Sequence, residues 1–169
     1  RISDSGIDDV VRQVLLPIWN AYGFFTLYAN VDGHRATMRS DSGHLLDRYL
    51  LAKTSMLVEA VADRMDAYDL SGATHELQGF IDALNNWYIR RSRDRFWSKS
   101  TTADDADKRD AYDTLYTVLV TFCRVAAPML PMVSEEIHSA LTGGSSVHLA
   151  DWPDTDDLPS DPALVARMD

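Results

Sequence analysis

An all-α fold, an up-and-down bundle of four to five helices, is what this sequence predicts. Three observations carry that prediction. Apolar residues recur at helical intervals through four long segments, polar turn-rich stretches separate those segments, and nowhere does alternation run long enough for a sheet. At 169 residues the chain has the size of one domain, and such a domain buries roughly 70% of the surface its unfolded chain exposes, so one core is feasible.

The elements follow in order. Ser5-Gly6-Ile7-Asp8 fits a capping box ahead of Val10, Val11, Val14, Leu15 and Ile18, which predicts a helix over about 7 to 29 with a bend at Pro17. The stretch from 30 to 44 is polar and turn-rich and reads as an exposed loop. A second helix over about 45 to 67 carries Leu46, Leu50, Leu57, Val61 and Met65 on one side. Tyr68 to Gly72 break it, and the next helix holds Leu77, Ile81, Leu84 and Tyr88 as an apolar stripe. The acidic stretch from 101 to 110 makes a loop and a helix start, its carboxylates suited to the positive end of a helix dipole. A fourth helix over about 108 to 127 offers Leu115, Val118, Leu119, Phe122, Val125 and Ala126, and Pro128 and Pro131 stop it. A short fifth helix ends at Gly143-Gly144. The expected division is a helical domain over 1–152 and, over 153–169, a linker with the start of a following region, so the chain reads as cut from something longer.

Apolar residues make up 46% and charged residues 25%, ordinary values that argue against disorder and coiled coil. No apolar run approaches the roughly 18 residues of a membrane span, and Asp4, Asp8 and Asp9 do not fit a signal peptide, so a soluble, cytoplasmic protein without membrane contact is expected. Cys123 is the only cysteine and lies among apolar neighbours, which reads as a buried core residue. The five histidines lack ligand spacing, and no metal site is expected.

Against a net charge of -10, the stretch "NNWYIRRSRDRFW" (85 to 97) gathers Arg90, Arg91, Arg93 and Arg95 between aromatic pairs. Through Lys99 it holds five basic residues against Asp94 alone, so the rest of the chain is more acidic than the total suggests. At about 100° per residue from Tyr88 on the core stripe, Asn86, Arg90 and Arg93 point outward, with Trp97 continuing the row. Arg91 and Arg95 fall beside the stripe and Trp87 a quarter-turn away. Guanidinium forks match phosphate oxygens and stack on bases, and an exposed Trp offers a plane to an unstacked base, so RNA is one partner for the outward row. The competing reading is a solvated helix face whose arginines pair with acid such as Asp104, Asp105 and Asp107, with Arg91 and Arg95 the first to do so. Trp87, Tyr88 and Phe96 suit the core better than a base.

Catalytic constellations are missing. There is no glycine-rich phosphate loop and no nucleophile motif, and Glu135-Glu136 before His138 reads as favourable charge in a first helical turn.

The motifs "LLPIWNAYGFFTLYAN" (15 to 30), "LDRYLLAK" (46 to 53), "AYDLSGATHELQGFIDALNNWYIRRSRDRFW" (67 to 97), "YDTLYTVLVTFCRVAAPMLPMVSEEIH" (112 to 138) and "SVHLADWP" (146 to 153) stand in an order that resembles the helical anticodon-binding domain of isoleucyl-tRNA synthetases. The resemblance spans nearly the whole chain. The arginine row favours the isoleucine enzyme, in its eukaryote-like branch, over its valine and leucine relatives; one departure is Asp94, where similar sequences carry another base. The resemblance implies a fragment that is catalytically silent by itself and binds the anticodon stem-loop of isoleucine tRNA. Asn86, Trp87, Arg90, Arg91, Arg93, Arg95, Trp97 and Lys99 would form the RNA-binding face. It implies no cofactor here. ATP and Mg²⁺ belong to the catalytic domain of the parent, where Zn²⁺ is a further candidate. Neither nucleotide-binding signature of that domain is present, and the "SKS" of Ser98-Lys99-Ser100 lacks the preceding Lys-Met. The implied partners are the tRNA and the parent's catalytic and C-terminal domains, with the domain itself a monomer. The alternatives are the same bundle from a valine or leucine enzyme, or a structural or interaction bundle without RNA contact.

Overall fold

The computed structural model describes residues 3–98, 106–144 and 146–169, and among them helices are the only regular elements. We number six. α1 (4–32) joins an α-helical stretch, Asp4–Val10, to a π-helical stretch, Val11–Leu15, and a second α-helical stretch, Leu16–Asp32. Its cap is Ser3, whose hydroxyl accepts from Gly6 N at 3.2 Å. The expected Ser5 box is therefore displaced, and Ser5 sits inside the first turn. Pro17 stands two residues past the π-turn, after Leu16. The proline cannot donate to the preceding turn and crowds its carbonyl, and the widened turn just before it is where the ladder accommodates that. The helix ends at Asp32, three residues beyond the expected end, and Gly33 closes it at φ 64°, a left-handed conformation natural to glycine.

α2 (Leu45–Asp66) is central. Leu50, Leu57 and Val61 are buried as the stripe predicts, Leu46 and Met65 partly so, and Tyr49, Leu51, Ala52, Thr54 and Val58 extend the burial around most of the helix. The break after it is built from Tyr68, at φ 57°, and from Asp69, whose carboxylate accepts from Gly72 N at 2.9 Å to cap the next helix. A Cβ at Gly72 would stand 2.1 Å from Asp69 Oδ2, so the capping carboxylate and any side chain there exclude one another.

α3 (70–97) again interrupts its ladder, with α-helical Leu70–Asp82 and Arg90–Trp97 flanking π-helical Ala83–Ile89. The stripe Leu77, Ile81, Leu84 and Tyr88 is fully buried. α4 (Ala106–Ala126) is buried on nearly every side, including all six of its expected core residues. Cys123 is buried beside them, and burial pushes its thiol up to about 12. α5 (Pro131–Thr142) begins with Pro131 in its first turn and ends at Gly143, φ 60°. Glu135 serves a different end from the one expected. Its carboxylate accepts from Ser146 Oγ at 2.9 Å and Val147 N at 2.8 Å, fastening the 3₁₀ turn Val147–Leu149 to α5, and these bonds hold it below the usual carboxylate range.

Residues 153–169, expected as a linker, lie packed on the bundle. Asp161 caps α6 (Pro162–Met168), whose Leu164 and Val165 are buried with Leu158. Tyr49 and Lys53 on α2 both donate to the Asp169 carboxylate, at 2.7 and 2.6 Å. The loop 33–44 is likewise held. His34 Nε2 and Thr37 N meet Asp113 Oδ1 of α4 at 3.0 Å, and Arg39 exchanges backbone bonds with Thr117 Oγ1.

Candidate nucleic-acid interface

The arginine segment closes α3 and rests on the core through Tyr88 and Phe96, both 1% exposed or less. Phe96 meets Phe24 of α1 and Tyr112 of α4 edge-on, with ring centroids 5.0 and 5.1 Å apart. With these two rings fixed inward, helical phase turns the opposite face to solvent. Asn86, Arg90, Arg93 and Trp97 are all exposed, in the outward row expected of them. Arg90 and Arg93 form no ion pair among the described residues. Arg93 stands over the Trp97 ring at 5.8 Å, and Tyr28 of α1 lies 6.5 Å from the same ring. Asn86 donates to Asp82 one turn earlier at 2.6 Å.

Arg91 and Trp87 form a unit of their own. The guanidinium lies 3.5 Å from the Trp87 ring centroid, a stacked cation–π contact that covers one indole face and leaves the charge exposed. Trp87 is half-buried with its indole nitrogen out of solvent, so it supports Arg91 rather than offering a plane to a base. Lys99 falls outside the described residues, as do Asp104 and Asp105.

Arg95, expected among the phosphate contacts, is turned to the interior. Its side chain is 10% exposed, and it grips the fully buried Asp47 of α2 bidentately at 2.6 and 2.8 Å, then donates from Nε to the Asp107 carboxylate and from Nη2 to the Asp107 backbone oxygen, each at 2.9 Å. Ser42 and Tyr88 donate to the same Asp47 carboxylate at 2.7 and 2.8 Å. Burial by itself pulls a guanidinium down, but the bonds to Asp47 and Asp107 outweigh it and hold Arg95 above its ordinary value. Burial, with the Asp47 charge, drives the Tyr88 phenol well above its own. With four bonds to carboxylates and carbonyl, Arg95 has little left for a phosphate. Sequence reading found its inward lean but missed Asp47. The available signal was Asp47 lying three residues before Leu50, hence on the core face of α2. Tyr28 was missed too, and its position beside Trp97 depends on how α1 crosses α3.

In class this is an all-helical bundle domain that turns exposed arginines and an exposed tryptophan along one helix face. Residues 47–169 match the family described as the anticodon-binding domain of tRNA ligase, and the chain belongs to that family. Over 168 residues it is 55% identical to the isoleucine–tRNA ligase of Leifsonia xyli, 50% to that of Nocardia farcinica and 52% to that of Mycobacterium tuberculosis. Each match covers 99% of this chain and 15% of the relative, so the chain spans about one seventh of the length of these curated relatives. All are bacterial, and the eukaryote-like branch stays an expectation of the sequence. No helix among the described residues is long and apolar enough to cross a membrane.

Proposed function

We propose that this chain is the domain through which an isoleucine–tRNA ligase holds the anticodon stem-loop of its tRNA. In that parent the remaining chain carries the catalytic domain, which joins isoleucine to the tRNA with ATP and Mg²⁺ in the cytoplasm. One observation carries the reading. In a member of the anticodon-binding family, Arg90 and Arg93 stand exposed and unpaired in one row with Asn86 and Trp97 on a strongly acidic molecule. Unpaired arginines side by side repel one another and find relief in a polyanion, whose counterions they release. Arg91 adds a third exposed charge on its indole support, Trp97 a stacking plane, and Lys99 continues the basic stretch in sequence.

The test is a titration of the chain with isoleucine tRNA and with valine tRNA at two salt concentrations. Arg90→Ala with Arg93→Ala is expected to weaken binding and flatten the slope of log affinity against log salt by roughly 1.4 to 1.8, the loss of two phosphate contacts. A folded double variant with unchanged affinity and slope would sink the assignment and leave the row to an interface with another domain. Equal binding of both tRNAs would show that this domain grips the stem-loop without choosing it.

A further inference from the structure

Between α4, the loop 33–44 and the packed segment after Trp152 lies a pocket of about 320 Å³. That is the lower end of the roughly 300–1,000 Å³ usual for sites that hold a small molecule. Thr117, Thr121 and Arg124 supply its α4 wall, and their spacings of four and three set them on one face of the helix.

Two of the polar groups around this pocket are engaged. Thr117 Oγ1 is bound to the backbone of Arg39, and the Arg39 guanidinium pairs with Asp41 at 2.8 Å and Asp110 at 3.0 Å. Thr121 and Arg124 are not. Thr121 is 4% exposed, and its hydroxyl has no hydrogen-bond partner among the described residues. Arg124 is half-buried with Nε out of solvent, and it forms neither an ion pair nor a hydrogen bond among those residues. Ser40 of the loop adds a second unmatched hydroxyl. A guanidinium that has lost part of its water and gained no acceptor fits a carboxylate or phosphoryl group, whose oxygens match its fork.

The charges around the rest of the pocket decide which. Asp154 and Asp157 are exposed there, and no ion pair joins either of them to Arg124. A plain anion such as phosphate is drawn to Arg124 but repelled by both aspartates and by a chain of net charge -10. A plain cation meets the opposite conflict. A molecule that carries both charges a few bonds apart satisfies both sets of groups. Met38, Pro153 and Leu158 complete the lining with apolar surface, which suits an aliphatic side chain on such a molecule.

We propose that this pocket binds a free aliphatic α-amino acid, its carboxylate on Arg124 and the Thr121 hydroxyl, its ammonium toward Asp154 and Asp157, and its side chain on Met38 and Leu158. The site is separate from the arginine row and does not depend on RNA binding. Its test is a calorimetric titration of the 169-residue chain with L-leucine, with isocaproate, which lacks the ammonium, with isoamylamine, which lacks the carboxylate, and with inorganic phosphate. The leucine titration is repeated on Arg124→Gln and on Thr121→Val. The valine keeps the volume and removes only an unmatched hydroxyl, so its melting temperature should not fall.

L-leucine is expected to bind the wild type with a Kd of about 1 mM, and each of the other three probes at least roughly tenfold more weakly. Arg124→Gln should abolish leucine binding and Thr121→Val should weaken it several-fold. The site is overturned if leucine does not bind, if isocaproate or phosphate binds as tightly as leucine, or if both variants keep the wild-type affinity. A wild type that takes up no leucine, beside an Arg124→Gln variant that melts well below it, would show that Arg124 closes on Asp154 or Asp157 in solution and leaves no site.

Discussion

Asp47 and Arg95 seat the arginine segment on the bundle. A carboxylate with no exposure is costly unless every lone pair is matched, and here Arg95, Tyr88 and Ser42 match them. Removing one member is therefore worse than never having built the pair. Asp47→Asn keeps the shape but leaves the guanidinium without its counter-charge, and the chain should lose roughly 3–5 kcal/mol in a denaturant titration. The complementary change separates structure from recognition: Arg95→Ala should destabilise comparably, while the salt slope of RNA binding in the fraction that folds stays at the wild-type value. A slope reduced as it is for Arg90 and Arg93 would return Arg95 to the phosphate contacts. The phase of α3 makes the inward lean of Arg95 legible in the sequence. Its partner was not legible, because which residue of α2 meets it depends on the crossing of two helices far apart in sequence.

Elements show the same division between period and partner. The stripe Leu77, Ile81, Leu84 and Tyr88 was readable because spacings of four, three and four keep one face against the core. The π-turns were not, since an apolar period does not register one extra residue within a turn. The outward row survives because Tyr88, the phase reference, sits in that π-segment and the residues after Ile89 follow ordinary α geometry. Between α4 and α5 the structure holds a less comfortable residue. His138 is 4% exposed and neither ring nitrogen has a partner. Burial lowers its pKa, and Arg124 across the helix pair lowers it further against a smaller opposing pull from Glu135. The unfolded chain takes up a proton at about pH 6.5 and the folded chain only below that, so stability falls as pH drops through the interval. Denaturation at about pH 7.5 and about pH 5.5 should show this loss, and His138→Leu should flatten it without lowering stability at the higher pH. An unchanged pH dependence in that variant would assign the slope elsewhere. Asp32 and Asp169 do not confuse the measurement: both carboxyls sit below their ordinary range, held there against burial by Lys108 and Lys53 respectively, so their contribution is lost only below about pH 4.

At the scale of the whole molecule the fold is a bundle closed by a strap. The all-helical class and the order of the long helices follow from periodicity, but the last stretch misleads: "DTDDLPSDP" has the Asp and Pro content of a linker, and only Leu158, Leu164 and Val165 reveal that it is anchored. Three buried aliphatic side chains spread over seventeen residues are too sparse for a pattern. They are enough for packing, because Asp154 and Asp161 cap the two short turns that aim them inward and Asp169 receives Tyr49 and Lys53 of α2. The exposed part of the Lys53 pair contributes little, and burial with the Asp169 bond raises the Tyr49 phenol above its ordinary value. Apolar burial is the larger effect, at roughly 1.5–3 kcal/mol for each side chain, and it is offset in part by the entropy of ordering the strap. A chain ending at Trp152 should then be less stable than the full one by about 3 kcal/mol, a fall in Tm of roughly 6–12 °C by calorimetry. Leu164→Ala with Val165→Ala in the full chain should reproduce most of that fall, since it removes the anchors and keeps the charges. If the shortened chain melts with the full one, residues 153–169 lie on the bundle without stabilising it, and the domain ends where its composition first suggested.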